Sequence, residues 1–281
     1  MGNIITAIIN LIKNPVFTLD YSVSSNNRMN NMGEALELYV KDLFCGTLLE
    51  PDKTKRNELL KETFSYLGNQ NNPPDAILKN GDAIEIKKIE SNNSALALNS
   101  SYPKSKLFVD NPMLNRACRD CEDWKEKDII YSVGVVNNKK IRSLAFVYGT
   151  EYCADKEVYE RIKNTIKNGI CEIEGIEFSE TRELGHVNRV DPLGITYLRV
   201  RGMWGIENPF VSFKYLFERD FSKDFNFMGI ISCDKFYSFD NYGDLLSLTA
   251  KNKSLKIVDV EVKSPNNPAK FIKSKLISFV L

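Results

Sequence analysis

Two short apolar runs, AIL at 76–78 and AIEI at 83–86, bracket the turn signal Lys79-Asn80-Gly81-Asp82. That pattern fixes a β-hairpin inside PPDAILKNGDAIEIKK, Pro73 to Lys88. A simple buried hairpin has no use for charge, yet the flanks of this one carry Asp75, Glu85 and Lys87. Residues two apart on a strand share a face, so Glu85 and Lys87 point one way while Ile84 and Ile86 point the other, into a core.

Whether Asp75 joins them depends on the loop. A two-residue turn at Asn80-Gly81 pairs Asp75 with Ile86 and puts the carboxylates on opposite faces. A three-residue loop, Lys79-Asn80-Gly81 with Gly81 left-handed in a bulge, pairs Asp75 with Glu85. In the second case two carboxylates lie about 5 Å apart at Cβ, a costly like-charge pair unless a cation sits between them. Hard oxygen ligands suit Mg²⁺, which keeps several waters and accepts phosphate oxygens. Lys87 then stands where it can orient or help deprotonate the attacking water and neutralise charge on the phosphorane. The plainer alternative is a solvated strand face, since acid-x-lysine on a strand is common.

The rest of the chain suits one soluble α/β domain over 1–281. With 281 residues and 43% hydrophobic content it can bury a sizeable core, and no internal repeat or linker divides it. Its 38 basic and 37 acidic residues nearly cancel, so a polyanionic partner must be held by local clusters. Six scattered cysteines suit reduced thiols and a cytoplasmic setting. The opening MGNIITAIINLIKNP lacks a basic n-region and a cleavage site, so it is expected to be a short amphipathic helix ended by Pro15 and no membrane span. Helices are expected from about Met32 to Phe44, capped by Asn30-Asn31, from about Lys55 to Tyr66, over NPMLNRACRDCEDWKEK, and from Glu157 to Lys167 with Val158, Ile162 and Ile166 on one side. Strands are expected at about Asp128 to Val136 and Arg142 to Tyr148. The aromatic-rich C-terminal part, about 205–281, shows no clear period and is the part expected to contribute to any contact between two copies of the chain.

Pro74-Asp75, a nine-residue gap and Glu85-Ile86-Lys87 resemble the PD-(D/E)XK nuclease motif. The wider sequence resembles the NgoPII-type family of type II restriction endonucleases in NIITAIINLIKNP, GEALELYVKDLF, FSYLGNQNNPPDAILKNGDAIEIKKIE, LALNSSYPKSKL and ELGHVNRVDPLGITYLRVRGMW, up to about Trp204. The resemblance implies a restriction-endonuclease-like core, a mixed β-sheet flanked by α-helices, with Mg²⁺-dependent cleavage of double-stranded DNA at a short palindrome such as GGCC. It implies Asp75, Glu85 and the backbone carbonyl of Ile86 as metal ligands and Lys87 as the catalytic lysine, with Glu37 or Glu34 of the first helix as a further carboxylate. A palindrome cut on both strands calls for two active sites, hence a homodimer. A cognate DNA methyltransferase would share the target without needing to bind.

Two segments suit the DNA. Asn99, Ser100, Ser101 and Tyr102, followed by Lys104 and Lys106, offer phosphate donors. The later segment carries Arg182, His186, Asn188, Arg189, Arg199 and Arg201; a bidentate arginine reads guanine O6 and N7, an acid such as Asp191 reads cytosine, and Arg199 and Arg201, two apart on one strand face, suit base or phosphate contact. A single histidine excludes a His-based metal cluster, and Cys118-x-x-Cys121 lacks the second pair that zinc needs. The rival readings are a structure-directed repair or junction nuclease and a non-catalytic DNA-binding protein.

Overall fold

The computed structural model describes residues 2–19, 28–181 and 184–281. Helices α1 (Ile4–Lys13), α2 (Arg28–Cys45) and α3 (Lys53–Thr63) lead into strands β1 (Phe64–Tyr66), β2 (Ala76–Leu78) and β3 (Ala83–Ile89). Then come β4 (Leu96–Asn99), β5 (Lys106–Phe108), α4 (Arg116–Arg119), β6 (Glu126–Asn137), β7 (Lys140–Tyr148), α5 (Gly149–Tyr152) and α6 (Lys156–Cys171). The chain continues through β8 (Glu177–Glu180), β9 (Gly185–Asn188), β10 (Leu198–Val200), β11 (Trp204–Ile206) and α7 (Pro209–Ser212). It closes with β12 (Asn226–Ser232), α8 (Cys233–Tyr237), α9 (Tyr242–Thr249), β13 (Leu255–Ser264) and β14 (Asn267–Val280).

The main sheet runs β1-β2-β3-β6-β7-β12-β14-β13, with β5 on a side branch of β6. It is mixed: β3 runs parallel to β6 and β12 parallel to β7, and the other neighbours are antiparallel. Each face has its own core. Helices α1 and α2 cover one, where Ile8, Leu36, Tyr39 and Leu43 meet Ile84, Ile86 and Phe146. The other gathers Leu107, Tyr131, Val133, Tyr152 and Phe213. This is the α/β class and the mixed, helix-flanked sheet that the sequence implied.

Several boundaries moved. The helix expected from Met32 begins at Arg28, so Asn30 and Asn31 fall inside it and not at its start. The helix expected to reach Tyr66 stops at Thr63 and gives way to β1; its start is fixed at Asp52, whose carboxylate accepts from Thr54 N–H at 2.8 Å. The stretch 111–127 keeps a single helical turn: Asn111 accepts the Met113 N–H in a turn of its own, and Asn115, accepting from Cys118 N–H, caps the short helix that starts only at Arg116. The C-terminal β12, β13 and β14 lie within the main sheet. Six free cysteines agree with reduced thiols, and among the described residues no helix is long and apolar enough to cross a membrane.

Candidate active site

β2 and β3 pair Ala76 with Ile84 and Ile77 with Ala83, and Leu78 N–H donates to Asp82 O at 3.0 Å. The loop is therefore the three-residue Lys79-Asn80-Gly81. Its left-handed residue, however, is Asn80 (φ 51°), not Gly81. Asparagine tolerates that region next best after glycine. Gly81 instead relieves crowding: a Cβ there would come within 3.1 Å of Leu78 Cβ, which would have to give by a few tenths of an ångström. The tip is tied down from outside, since Glu122 accepts the Asn80 N–H at 3.0 Å and pairs with Lys127, whose ammonium also donates to Gly81 O at 2.8 Å. Behind it, Asp82 accepts from Tyr148 Oη at 2.6 Å and pairs at 2.8 Å with Lys235, which also meets Asp128 at 2.7 Å.

The charges lie at the other, open end of the hairpin. Continued by one residue, the register sets Asp75 opposite Glu85. Asp75 Oδ2 accepts the Ile86 N–H at 2.6 Å, and Lys87 Nζ lies 2.6 Å from Glu85 Oε1. Glu85 Oε2 is buried and has no hydrogen-bond partner. A second device positions Asp75: Gly68 takes φ 79° and passes so close that a Cβ there would lie 2.4 Å from Asp75 O. Sequence reasoning missed this, because glycine seven residues upstream carries no period or motif.

The electrostatics follow from crowding. Burial first, then the neighbouring Glu85, push Asp75 up to about 7, against the pull of Lys87 and the Ile86 N–H. Burial also raises Glu37, which faces the cluster from α2 while Lys41, 3.7 Å away, and Lys87 pull it down. For Lys87 burial acts downward, but Glu85, Asp75 and Glu37 outweigh it, so the amine stays an ammonium. The cluster therefore concentrates carboxylate charge around one lysine. Among the described residues no three such side chains converge closely enough to hold a metal unaided. The donor set still fits a hard cation: two facing carboxyl groups and a buried carboxylate oxygen with no hydrogen-bond partner are the hard oxygen ligands that Mg²⁺ takes alongside waters and phosphate oxygens.

The profile of the NgoPII restriction endonuclease family matches residues 2–263. The type II restriction enzyme NgoPII of Neisseria gonorrhoeae is 59% identical over 280 residues, covering 99% of this chain and 100% of that protein.

The chain belongs to the NgoPII restriction endonuclease family.

Membership identifies it as a type II restriction enzyme, and the likeness seen up to Trp204 extends over nearly the full length. No solved structure matches the chain.

In this family member the fold brings the two segments proposed for DNA together: Trp204 of β11 pairs with Asn99 of β4, and its ring meets Tyr102 edge-on at 6.1 Å. Asn99 takes φ 51°, and Ser100–Tyr102 form the bend that follows. Tyr102 Oη donates to Glu160 at 3.0 Å. Lys104 is buried, not exposed as a phosphate contact would require; its ammonium bonds Ser101 Oγ and Tyr102 O, and Tyr131 Oη bonds both its N–H and its carbonyl. Burial lowers the Lys104 amine against the opposing pull of Glu85, which places this lysine within electrostatic reach of the hairpin. Lys106 pairs with Glu126 at 2.7 Å.

The later segment forms a small sheet, β10-β9-β8, with His186 opposite Arg199 and stacked on Tyr197 at 5.7 Å. Asn188 Nδ2 donates to Ser179 Oγ at 2.9 Å, and Arg189 pairs with Glu177 at 3.0 Å. Arg199 lies on β10 and Arg201 just beyond it, both exposed. Asp191 is spent on its own loop, accepting from Leu193 and Thr196 N–H at 3.0 and 2.6 Å. Arg182 lies outside the described residues.

Proposed function

We propose that this restriction enzyme hydrolyses both strands of double-stranded DNA at a short palindrome, GGCC, in a Mg²⁺-dependent reaction that leaves 5′-phosphates, and that it acts as a cytoplasmic homodimer. The observation that carries the reading is the Asp75–Glu85 pair across β2 and β3, with Lys87 2.6 Å from one Glu85 oxygen and the other buried without a hydrogen-bond partner.

Asp75, Glu85 and the Ile86 carbonyl would hold the metal, with Glu37 as a further carboxylate from α2. A bound Mg²⁺ supplies Lewis acidity to the scissile phosphate and to the attacking water. Lys87, kept protonated by its acidic neighbours, orients that water and offsets the charge that builds on the phosphorane. It is ill suited to act as a free base while the carboxylates surround it. Asp75 contributes a carboxyl group whose ionisation is suppressed until a cation arrives, so metal binding should release a proton near neutrality.

For the DNA, Asn99, Ser100, Ser101, Tyr102 and Lys106 line the phosphate side, with Lys104 stiffening their bend from within. His186, Asn188, Arg189, Arg199 and Arg201 carry base reading from the small sheet, and Arg182 remains assigned to the same segment on sequence grounds. A methyltransferase sharing the target would protect the host without contacting the enzyme. Incubation with a plasmid of known sequence and Mg²⁺, followed by sequencing of the ends, tests the reading. Discrete cuts at GGCC support it; cuts fixed by DNA shape, or none, overturn it.

A further inference from the structure

Helix α6 faces the wrong way for a surface helix. A 16-residue amphipathic helix normally lays its apolar row on the core and its charges in water. Here none of its residues is buried, and Val158, Ile162 and Ile166, spaced at one turn each, are 43%, 43% and 47% exposed. The half-buried side is the polar and aromatic one. Tyr159 stacks on Tyr102 at 5.5 Å and meets Trp204 at 5.6 Å. Glu160 accepts from Tyr102, Lys167 pairs with Glu180 at 2.5 Å, and Lys156 sits over the Phe108 ring at 4.8 Å. The helix is thus held to the fold by its charged flank, and its aliphatic row is left uncovered. Ile173, 54% exposed, continues that apolar surface beyond the helix end.

We propose that this aliphatic row is the surface on which a second copy of the chain docks, with the two α6 helices antiparallel about a two-fold axis. The inference rests on the reading of the enzyme as a homodimer that cuts both strands, and adds where the copies meet. A two-fold interface must be self-complementary. Arg161 and Glu172 are both exposed and lie eleven residues apart, three turns, on the same flank of the row. Antiparallel pairing sets Arg161 of each copy against the partner's Glu172, so two ion pairs form. Gly169 lies along the row with nothing within 4 Å of where a Cβ would be, which lets the helices approach closely there. The chain's formal net charge of +1 opposes association little. Because α6 grips Tyr102 and Trp204, the same axis sets the DNA-contacting segments of both copies side by side.

Sedimentation equilibrium of the full chain, with Ile162→Asp/Ile166→Asp and with Arg161→Glu, tests the placement. The parent should be a dimer and the double aspartate variant a monomer that keeps the parent's circular-dichroism spectrum and melts cooperatively, at a temperature lower by no more than the lost association accounts for, since both side chains are exposed within one chain. Arg161→Glu should weaken dimerisation by about tenfold, and adding Glu172→Arg should restore it. A parent that is monomeric yet cuts both strands at GGCC overturns the homodimer reading itself. A dimeric parent whose aspartate variant is equally dimeric overturns only the α6 placement. Loss of the dimer on Phe271→Asp in the exposed C-terminal hairpin, with the α6 variants dimeric, would move the interface there.

Discussion

Replacing Asp75 by asparagine should abolish cleavage and yet stabilise the metal-free protein. Folding carries the Asp75 carboxyl from its ordinary 3.8 up to about 7, chiefly through burial and the nearby Glu85. An acid raised on folding contributes stability in its protonated form; that contribution is complete below 3.8 and lost once the pH passes about 7. At pH 8 ionised Asp75 therefore costs roughly 4 kcal/mol, a shift of about three pH units at 1.36 kcal/mol each. Asparagine removes that charge and keeps an oxygen for the Ile86 N–H, now at 2.6 Å from Asp75. Urea denaturation in chelator should show the variant more stable by up to about 4 kcal/mol at pH 8 and by about 2 kcal/mol at pH 5. A variant less stable than the parent at pH 8, or a gain that ignores pH, would refute the reasoning. Added Mg²⁺ should narrow the gap, because it stabilises only the parent.

Other outcomes follow from the same geometry. Lys87→Ala should lower the cleavage rate by several powers of ten and leave binding of a GGCC duplex in place, as a single-turnover assay and a mobility shift would show. Gly68→Ala should destabilise by about 1–3 kcal/mol in chemical denaturation, since alanine is strained at φ 79° and its Cβ collides with Asp75 O. Lys235→Met should cost about 3 kcal/mol by stranding Asp82 and Asp128, read from the same denaturation curves. Glu37→Gln should raise the Mg²⁺ concentration needed for half-maximal cleavage and leave the melting temperature without magnesium unchanged or higher, because burial already disfavours its charge.

The hairpin was legible because a turn signal between two apolar runs leaves few alternatives, and because the period-two pattern fixes which face Glu85 and Lys87 share. The choice of loop was not, since Asn80 and Gly81 both tolerate left-handed backbone and the contacts that decide between them, from Glu122 and Leu78, are long-range or steric. Strands β6 and β7 could be placed from their β-branched runs. β12 could not: FNFMGIIS is buried on both faces, so it carries no alternation to read. The periodicity of α6 was visible in Val158, Ile162 and Ile166, but periodicity says which residues share a face, not whether that face meets the core. The Lys104 segment looked like a phosphate-binding loop by composition, and no pattern in the sequence shows that the Tyr131 hydroxyl, 27 residues away, fixes the Lys104 backbone while its ammonium turns back onto Ser101 and Tyr102.

The most direct test of the proposed site is the position of a bound cation. Crystals of the Lys87→Ala variant with a GGCC duplex and Mn²⁺ should show an anomalous peak between the carboxylates of Asp75 and Glu85, beside the scissile phosphate. A peak confined to other carboxylates, such as Asp82 and Asp128, with Asp75 and Glu85 bare in a complex that binds its DNA, would contradict the assignment of the hairpin as the catalytic centre.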